Sequence, residues 1–303
     1  MSPELLPHSV EICDVGPRDG FQFESKPIPT ELKLDVIRGL IAAGVPRIQI
    51  TSFVHRAKVP QMADAENLIT LLLKDPEQTG STVFSGLCLN MKGIQRAAES
   101  GLRHVDISLA TNEQHSTDNA NMTVEEGVQQ AEEMITQANQ LGLQAQLGLQ
   151  TVFGYKEPGD TSLEFIIKLS KLFSKMPIES LSLADSTGLA NPAMMRITLD
   201  AVSEVVGDVP IVLHLHDTRG LGLANATAAL EMGVRRFDTS FGGLGGCPFI
   251  PGATGNIPTE EVVYLCEGLG FNTGIDTASV ARQSRRIAEF LGRSLSGKLY
   301  KLF

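Results

Sequence analysis

The segment His214-Leu215-His216 closes an apolar run, "PIVLHLH" (210–216). Side chains in an extended strand alternate with period two, so both imidazoles project to one side, with Cα atoms roughly 7 Å apart. That spacing suits two ligands of a single metal ion, whereas a lone histidine on an apolar face is more often a packed core residue. A carboxylate would complete the set, and Asp19, in "GPRDG" after the first apolar run, is the best placed. Asp217 follows the pair directly but projects to the opposite side, which assigns it a structural role. The amide oxygen of Asn256 is a further donor. Two imidazoles, one carboxylate and an amide oxygen favour Mg²⁺, Mn²⁺ or another divalent octahedral ion, although a 2-His-1-carboxylate set also holds Fe(II). Arg18, beside Asp19, can orient that carboxylate through a salt bridge or present a fixed cation to a developing oxyanion.

These residues need a scaffold that brings distant parts of the chain together. Eight short apolar or β-branched runs read as strands: 10–15, 47–52, 82–89, 103–108, 144–150, 179–184, 210–216 and 235–241. Between most of them lie segments of helical period that open on capping residues and stop at glycine. Thr30 opens one that Gly44 can end, and Thr123 with Glu126 and Thr161 with Glu164 have capping-box spacing. Strand then helix, repeated eight times with short connections, implies parallel strands with right-handed crossovers. The fold class expected is α/β, a (β/α)8 TIM barrel in one catalytic domain over 1–303, with 271–303 as a C-terminal helical extension. An open doubly wound sheet is the competing architecture.

In such a barrel the site forms at the C-terminal ends of the strands. Arg18 and Asp19 follow strand 1; Gln49, Thr51 and Ser52 lie on strand 2; Asn90 follows strand 3; Gln150 ends strand 5; Asp185 follows strand 6. Gln49, Thr51 and Gln150 are the substrate-binding candidates.

Composition narrows the function classes. The 303 residues carry 42% hydrophobic and 20% charged residues, a soluble globular balance. A formal net charge of −10 argues against nucleic-acid binding, which needs a clustered basic face. The N-terminal "MSPELLPHSV" has neither a basic n-region nor an apolar h-region, and no 18-residue apolar run occurs, so a cytoplasmic protein with no membrane partner is expected. The four cysteines, Cys13, Cys88, Cys247 and Cys266, are widely spaced, which disfavours a disulfide framework. Three of them sit in apolar runs; Cys247 does not.

The motifs "VGPRDGFQFE", "TSFVHRAKVPQM", "SLADSTG", "HLHDTRGLGLAN" and "GGLGGCPFIPGATGN", followed by "EGLGFNTGID", resemble the 3-hydroxy-3-methylglutaryl-CoA lyases, metal-dependent TIM barrels. The resemblance runs from about residue 10 to 276. It implies metal ligation by Asp19, His214 and His216 with Asn256 nearby, polarisation of a thioester carbonyl by Arg18, and a place for Asp185 in the acid/base network. It also implies that Cys247 sits on a mobile loop over the site. The reaction implied is a retro-Claisen cleavage of an acyl-CoA to acetyl-CoA and a 3-keto acid such as acetoacetate, in a homo-oligomer, dimer or larger.

The fifteen residues 242–256 hold six glycines and two prolines. Glycines permit a sharp, movable turn and prolines restrict the backbone beyond it, as in a lid that opens for a bulky thioester. A thiol of ordinary pKa near 8.5 is largely protonated at neutral pH, making Cys247 a candidate proton donor; the plain alternative is a small residue tolerated in a turn. Against the family pattern, Gln49 stands where a glutamate is expected, strand 5 ends in "LGLQTVFGYKEPGD" and "GFQFE" replaces "GLQNE". These site-facing changes leave open a different 3-hydroxyacyl-CoA, the condensing direction, or a metal-binding paralogue without catalysis. His55, Arg56 and Lys58 are the candidates for the coenzyme A phosphates; a solvated loop is the competing reading.

Overall fold

Residues 8–74, 79–246 and 254–303 are described by the structure, a computed structural model. The eight apolar runs form eight strands: β1 (Glu11–Asp14), β2 (Arg47–Ser52), β3 (Val83–Cys88), β4 (His104–Ala110), β5 (Gln144–Gln150), β6 (Ser180–Asp185), β7 (Ile211–Leu215) and β8 (Arg236–Thr239). Each pairs in parallel with the next, and β8 returns to β1 with Glu11 opposite Arg236 and Asp14 opposite Thr239. The sheet therefore closes into a TIM barrel, and the open sheet is excluded.

Helices surround the barrel: α1 (Thr30–Ala42), α2 (Ala65–Leu73), α3 (Met91–Ser100), α4 (Glu113–Ala120), α5 (Val124–Gln140), α6 (Leu163–Phe173), α7 (Pro192–Val206), α8 (Gly222–Glu231), α9 (Thr259–Gly268) and α10 (Thr277–Leu291). No helix among the described residues is long and apolar enough to cross a membrane. The apolar faces of these helices and the outward sides of the strands make one continuous core, in which Ile37, Ile48, Phe173 and Phe237 are almost fully buried.

Thr123 and Glu126 form the capping box expected at the start of α5. Two other helix starts differ from the sequence reading. The N-cap of α1 is Pro29, and the Thr30 hydroxyl instead donates to Asp64 at 2.7 Å. The N-cap of α6 is Ser162, because the Thr161 hydroxyl is drawn into the loop, where it donates to the Thr151 carbonyl at 2.8 Å. In both cases a tertiary acceptor outcompetes the local cap.

The barrel floor is closed by charge. Arg47 meets both oxygens of Glu179, at 2.8 and 3.1 Å, while His104 Nδ1 lies 2.9 Å from the same carboxylate. Burial would raise the Glu179 pKa, but its bonds to His104 and Arg47 outweigh this and hold it down at about 2. At the C-terminus, α10 packs along α1 and α9, with Arg286 reaching Asp35 at 2.6 Å and Ser284 bonded to Glu260.

Candidate metal and catalytic centre

The site begins where β1 ends. Gly16–Gly20 winds into one wide turn that carries Arg18 and Asp19 over the top of the barrel. Asp14 anchors this turn to the end of β8: one carboxylate oxygen accepts the Gly16 N–H at 2.9 Å, the other the Phe241 N–H at 3.0 Å and the Thr259 hydroxyl at 2.7 Å. Burial pushes the Asp14 carboxyl up to about 7. The close approach requires glycine at 16, where a Cβ would come within 2.6 Å of the Phe241 ring.

Asp19 is clamped from several sides. Arg18 donates to Oδ1, and Asn256 Nδ2 donates to Oδ2 at 2.7 Å. Burial alone would raise the Asp19 pKa, but the Arg18 charge, both imidazoles and the Asn256 amide hold it below the usual carboxylate range. Gly245 passes so near that a Cβ there would stand 2.6 Å from Asn256 Nδ2, and its φ of +122° is one that side-chain-bearing residues rarely adopt.

β7 supplies His214, and β7 ends at Leu215, one residue earlier than the sequence reading. His216 nevertheless stays extended because it forms a bridge with Asn256, which brings the amide to the histidines. The two Nε2 atoms lie 3.2 Å apart. His214 Nδ1 lies 3.2 Å from Asp238 Oδ2, so the carboxylate selects the tautomer that leaves Nε2 bare. Asp238 reaches this position through register, since His214 is its partner across the β7–β8 pair. Burial, reinforced by the neighbouring His214, depresses the His216 pKa to about 4, so its imidazole is neutral at physiological pH.

One ligand atom from each of Asp19, His214 and His216 lies within 4.8 Å of the others. The buried Asn256 Oδ1 has no hydrogen-bond partner and adds a neutral donor beside them. This mixed nitrogen and oxygen set fits a divalent cation.

Below the histidines a cavity of about 220 Å³ extends into the barrel, lined by Arg18, Asp19, Gln49, Asp106, Gln150, His214 and His216 among others. Gln150 holds its place by accepting the Ser186 hydroxyl at 2.8 Å. Gln49 accepts from Arg18 Nε through its oxygen and donates to Asp106 at 2.6 Å through its nitrogen. Ser85 donates to the same Asp106 oxygen at 2.6 Å. Burial raises the Asp106 pKa in spite of these two bonds.

The structure places the other sequence candidates away from the ligand set. Thr51 does not line the cavity: β2 gains one residue relative to β3 between Gln49 and Thr51, and this bulge reverses the facing, so the Thr51 hydroxyl meets the Met62 sulfur at 3.7 Å. Ser52 takes the rim position instead, 3.4 Å from Gln22. Asp185 is buried behind the rim, where its two oxygens accept the N–H groups of Leu189 at 2.8 Å and Ala190 at 3.1 Å. Burial still brings its pKa to about 6. In this geometry Asp185 organises the β6 loop. Asn90 caps α3 by accepting the Gly93 N–H at 2.9 Å. Asp217 accepts the Gly222 N–H at 2.8 Å, a structural role as expected. Arg56 is paired with Glu66 at 3.1 Å, whereas Lys58 lines a groove that shares Gln22 and Phe23 with the cavity mouth. Cys247 lies outside the described residues.

Sequence reasoning missed Asp106, Asp238 and the cavity-lining His115. The first two were within reach of the period-two rule that picked out the histidines, because "RHVDIS" and "RRFDTSF" each place an acid mid-strand. His115 sits on α4 and carried no such signal. Burial brings its pKa down to about 4.

A closed parallel barrel whose catalytic rim gathers two histidines, a carboxylate and an arginine defines a barrel enzyme able to hold a divalent ion. Residues 9–287 match the HMGL-like family. The chain is 35% identical to the hydroxymethylglutaryl-CoA lyase YngG of Bacillus subtilis, covering 98% of both chains. It is 36% identical to the (R)-citramalyl-CoA lyase of Chloroflexus aurantiacus, over 95% of this chain and 92% of that one. Among solved structures, hydroxymethylglutaryl-CoA lyase from Pseudomonas aeruginosa superposes with a TM-score of 0.92 at 33% identity, covering 98% of both chains. An HMG-CoA lyase from Acinetobacter baumannii, solved with coenzyme A and 3-methylmalate, superposes at 0.90 with 34% identity, over 98% of this chain and 96% of that one. The chain belongs to the HMGL-like family and is a carbon–carbon lyase.

Proposed function

We propose that this enzyme cleaves a 3-hydroxyacyl-CoA thioester by a divalent-metal-dependent retro-Claisen reaction, releasing acetyl-CoA and a keto acid. The observation that carries this reading is the convergence of Asp19, His214 and His216 within 4.8 Å beside the Arg18 guanidinium. Asn256 would complete the ligand set. A bound Mg²⁺ or Mn²⁺ would supply Lewis acidity to the substrate's tertiary hydroxyl and its neighbouring carboxylate.

The hydroxyl proton passes to water admitted by the cavity as the carbon–carbon bond breaks, and the electron pair of that bond passes to the acetyl-CoA enolate. Arg18, held between Gln49 and Asp19, presents a fixed cation to the thioester oxygen on which that charge develops. Asp238 keeps His214 in the ligating tautomer, and Gln150 braces the acyl wall. Cys247, assigned from sequence, is the proposed donor of the proton that the enolate carbon gains. Lys58, in the groove adjoining the cavity mouth, is the cation proposed for the coenzyme A phosphates.

3-Hydroxy-3-methylglutaryl-CoA is the first substrate to test. A second acyl group, as in the citramalyl-CoA lyase relative, is favoured by Gln49 and by the polar lining that Asp106, Gln146 and Ser182 give the cavity. The purified protein with Mg²⁺ or Mn²⁺, offered a panel of acyl-CoA thioesters bearing a 3-hydroxyl and either a 3-carboxymethyl or a 3-carboxyl group, should release acetyl-CoA from at least one. Release from none rejects the lyase reading. Light scattering would test the homo-oligomer that belongs to the same reading.

A further inference from the structure

An unbroken polar chain runs from the wall of the barrel to the metal-binding rim. Ser85 and Gln49 both donate to Asp106 Oδ2, Gln49 Oε1 accepts from Arg18, and Arg18 donates to Asp19. Asp106 is 8% exposed and Gln49 is 4% exposed, so each depends chiefly on these partners. The amide can point only one way. Reversed, its oxygen would face a carboxylate and its NH₂ a guanidinium, so that acceptor would meet acceptor and donor meet donor. Glutamine is thus the side chain that joins a donor-only Arg18 to an acceptor-only Asp106. A glutamate at 49 could hold Arg18 but would set two buried carboxylates 2.6 Å apart.

We propose that Asp106 is a positioning residue for Arg18, acting through Gln49, so that the two residues form one split acid: Asp106 supplies the carboxyl and Gln49 transmits its direction. Arg18 divides its donors between Gln49 and Asp19. When Gln49 is held by Asp106, the guanidinium keeps a fixed angle toward the cavity and its hold on Asp19 stays confined to Oδ1. When that hold is lost, Arg18 collapses onto Asp19 and competes with the cation. The pair therefore has to be exchanged together.

The test compares wild type with Asp106→Asn, Gln49→Glu and the double variant. Asp106→Asn keeps an acceptor but removes the carboxyl, and should lower kcat about tenfold with little change in KM, the scale of outer-shell losses. Gln49→Glu alone should lose about 10- to 100-fold. In the Asp106→Asn background the same Gln49→Glu substitution should raise kcat, because the new side chain at 49 then supplies the carboxyl and the new amide the donor. Gln49→Leu, which introduces no charge clash, should lose activity like Asp106→Asn and serves if Gln49→Glu fails to fold. Additive losses in the double variant, or an unchanged kcat in Asp106→Asn, would overturn the proposal. A purely structural pair would show coupling in the melting temperature while kcat per folded molecule stayed constant. The kcat readout rests on the lyase reading. Mn²⁺ affinity of the same proteins, measured by calorimetry, does not, and should show the same reversal of sign; additivity there overturns the pair even if no thioester is cleaved.

Discussion

Replacing Asp238 by asparagine tests how the barrel prepares the proposed metal site. Asp238 is 4% exposed, and its Oδ2 lies 3.2 Å from His214 Nδ1. The carboxylate can only accept, so it requires a proton on Nδ1 and leaves Nε2 free to ligate. An asparagine can present its NH₂ to the same nitrogen and so favour the opposite tautomer, in which Nε2 carries the proton and cannot bind a cation. Loss of such partners costs about 10- to 100-fold in metal affinity, which is about 1.4 to 2.7 kcal/mol. Stability should move little or in the other direction, because Asp238 raises the pKa of Asp106 and its removal relieves that repulsion. The assay is calorimetric titration of the metal-free protein with Mn²⁺ at constant pH, paired with a melting curve. Asp238→Ala, which offers neither donor nor acceptor, should fall within the same range by loosening the ring. If both variants bind Mn²⁺ within about twofold of wild type, Asp238 does not organise His214 and the assignment of the site through tautomer control is wrong.

Cys247→Ser should reduce kcat far more than it changes KM; an unchanged kcat rejects the thiol as proton donor. Gly245→Ala places a Cβ 2.6 Å from Asn256 Nδ2 at a φ of +122°, so Mn²⁺ affinity should fall even if the barrel still folds, and wild-type affinity would show that Asn256 and Asp19 can shift freely. Glu179→Gln tests the barrel floor through pH. The Glu179 pKa falls from 4.5 to about 2 on folding, so its contribution is complete above about 4.5 and lost as pH drops through about 2. A fall of that size corresponds to roughly 3 kcal/mol, and the melting-temperature gap between wild type and variant should be wide at pH 7 and close toward pH 2. A gap independent of pH would refute the ion-pair account. Asp185→Asn should lower stability through the β6 loop with kcat per folded molecule largely kept; a collapse of kcat at normal stability would restore the catalytic role that its strand-end position suggests.

Much of the fold was legible because its signals are local. Alternation along "PIVLHLH" and the capping pair Thr123–Glu126 depend on residues within a few positions of one another, and the structure places the strands within two residues of the expected ends. The helix starts at Thr30 and Thr161 show where locality fails, since each hydroxyl found a distant acceptor that competed with the cap.

At the site, the sequence by itself determined which chemistry was present: two histidines of one facing, an acid and an arginine after the first strand, and a glycine-rich return to Asn256. Tertiary structure alone decided which of these meet and how. A single bulge in β2 turned Thr51 out and Ser52 toward the rim, which alternation cannot anticipate because a bulge is a relation between two strands. Asp185 turned inward to backbone N–H groups that exist only once the β6 loop is folded. Asp106 and Asp238 entered through barrel closure and register, which bring β4 to Gln49 and β8 to His214. A side chain's facing is written in its own strand, but its partners come from other strands, and those are settled only when the sheet closes.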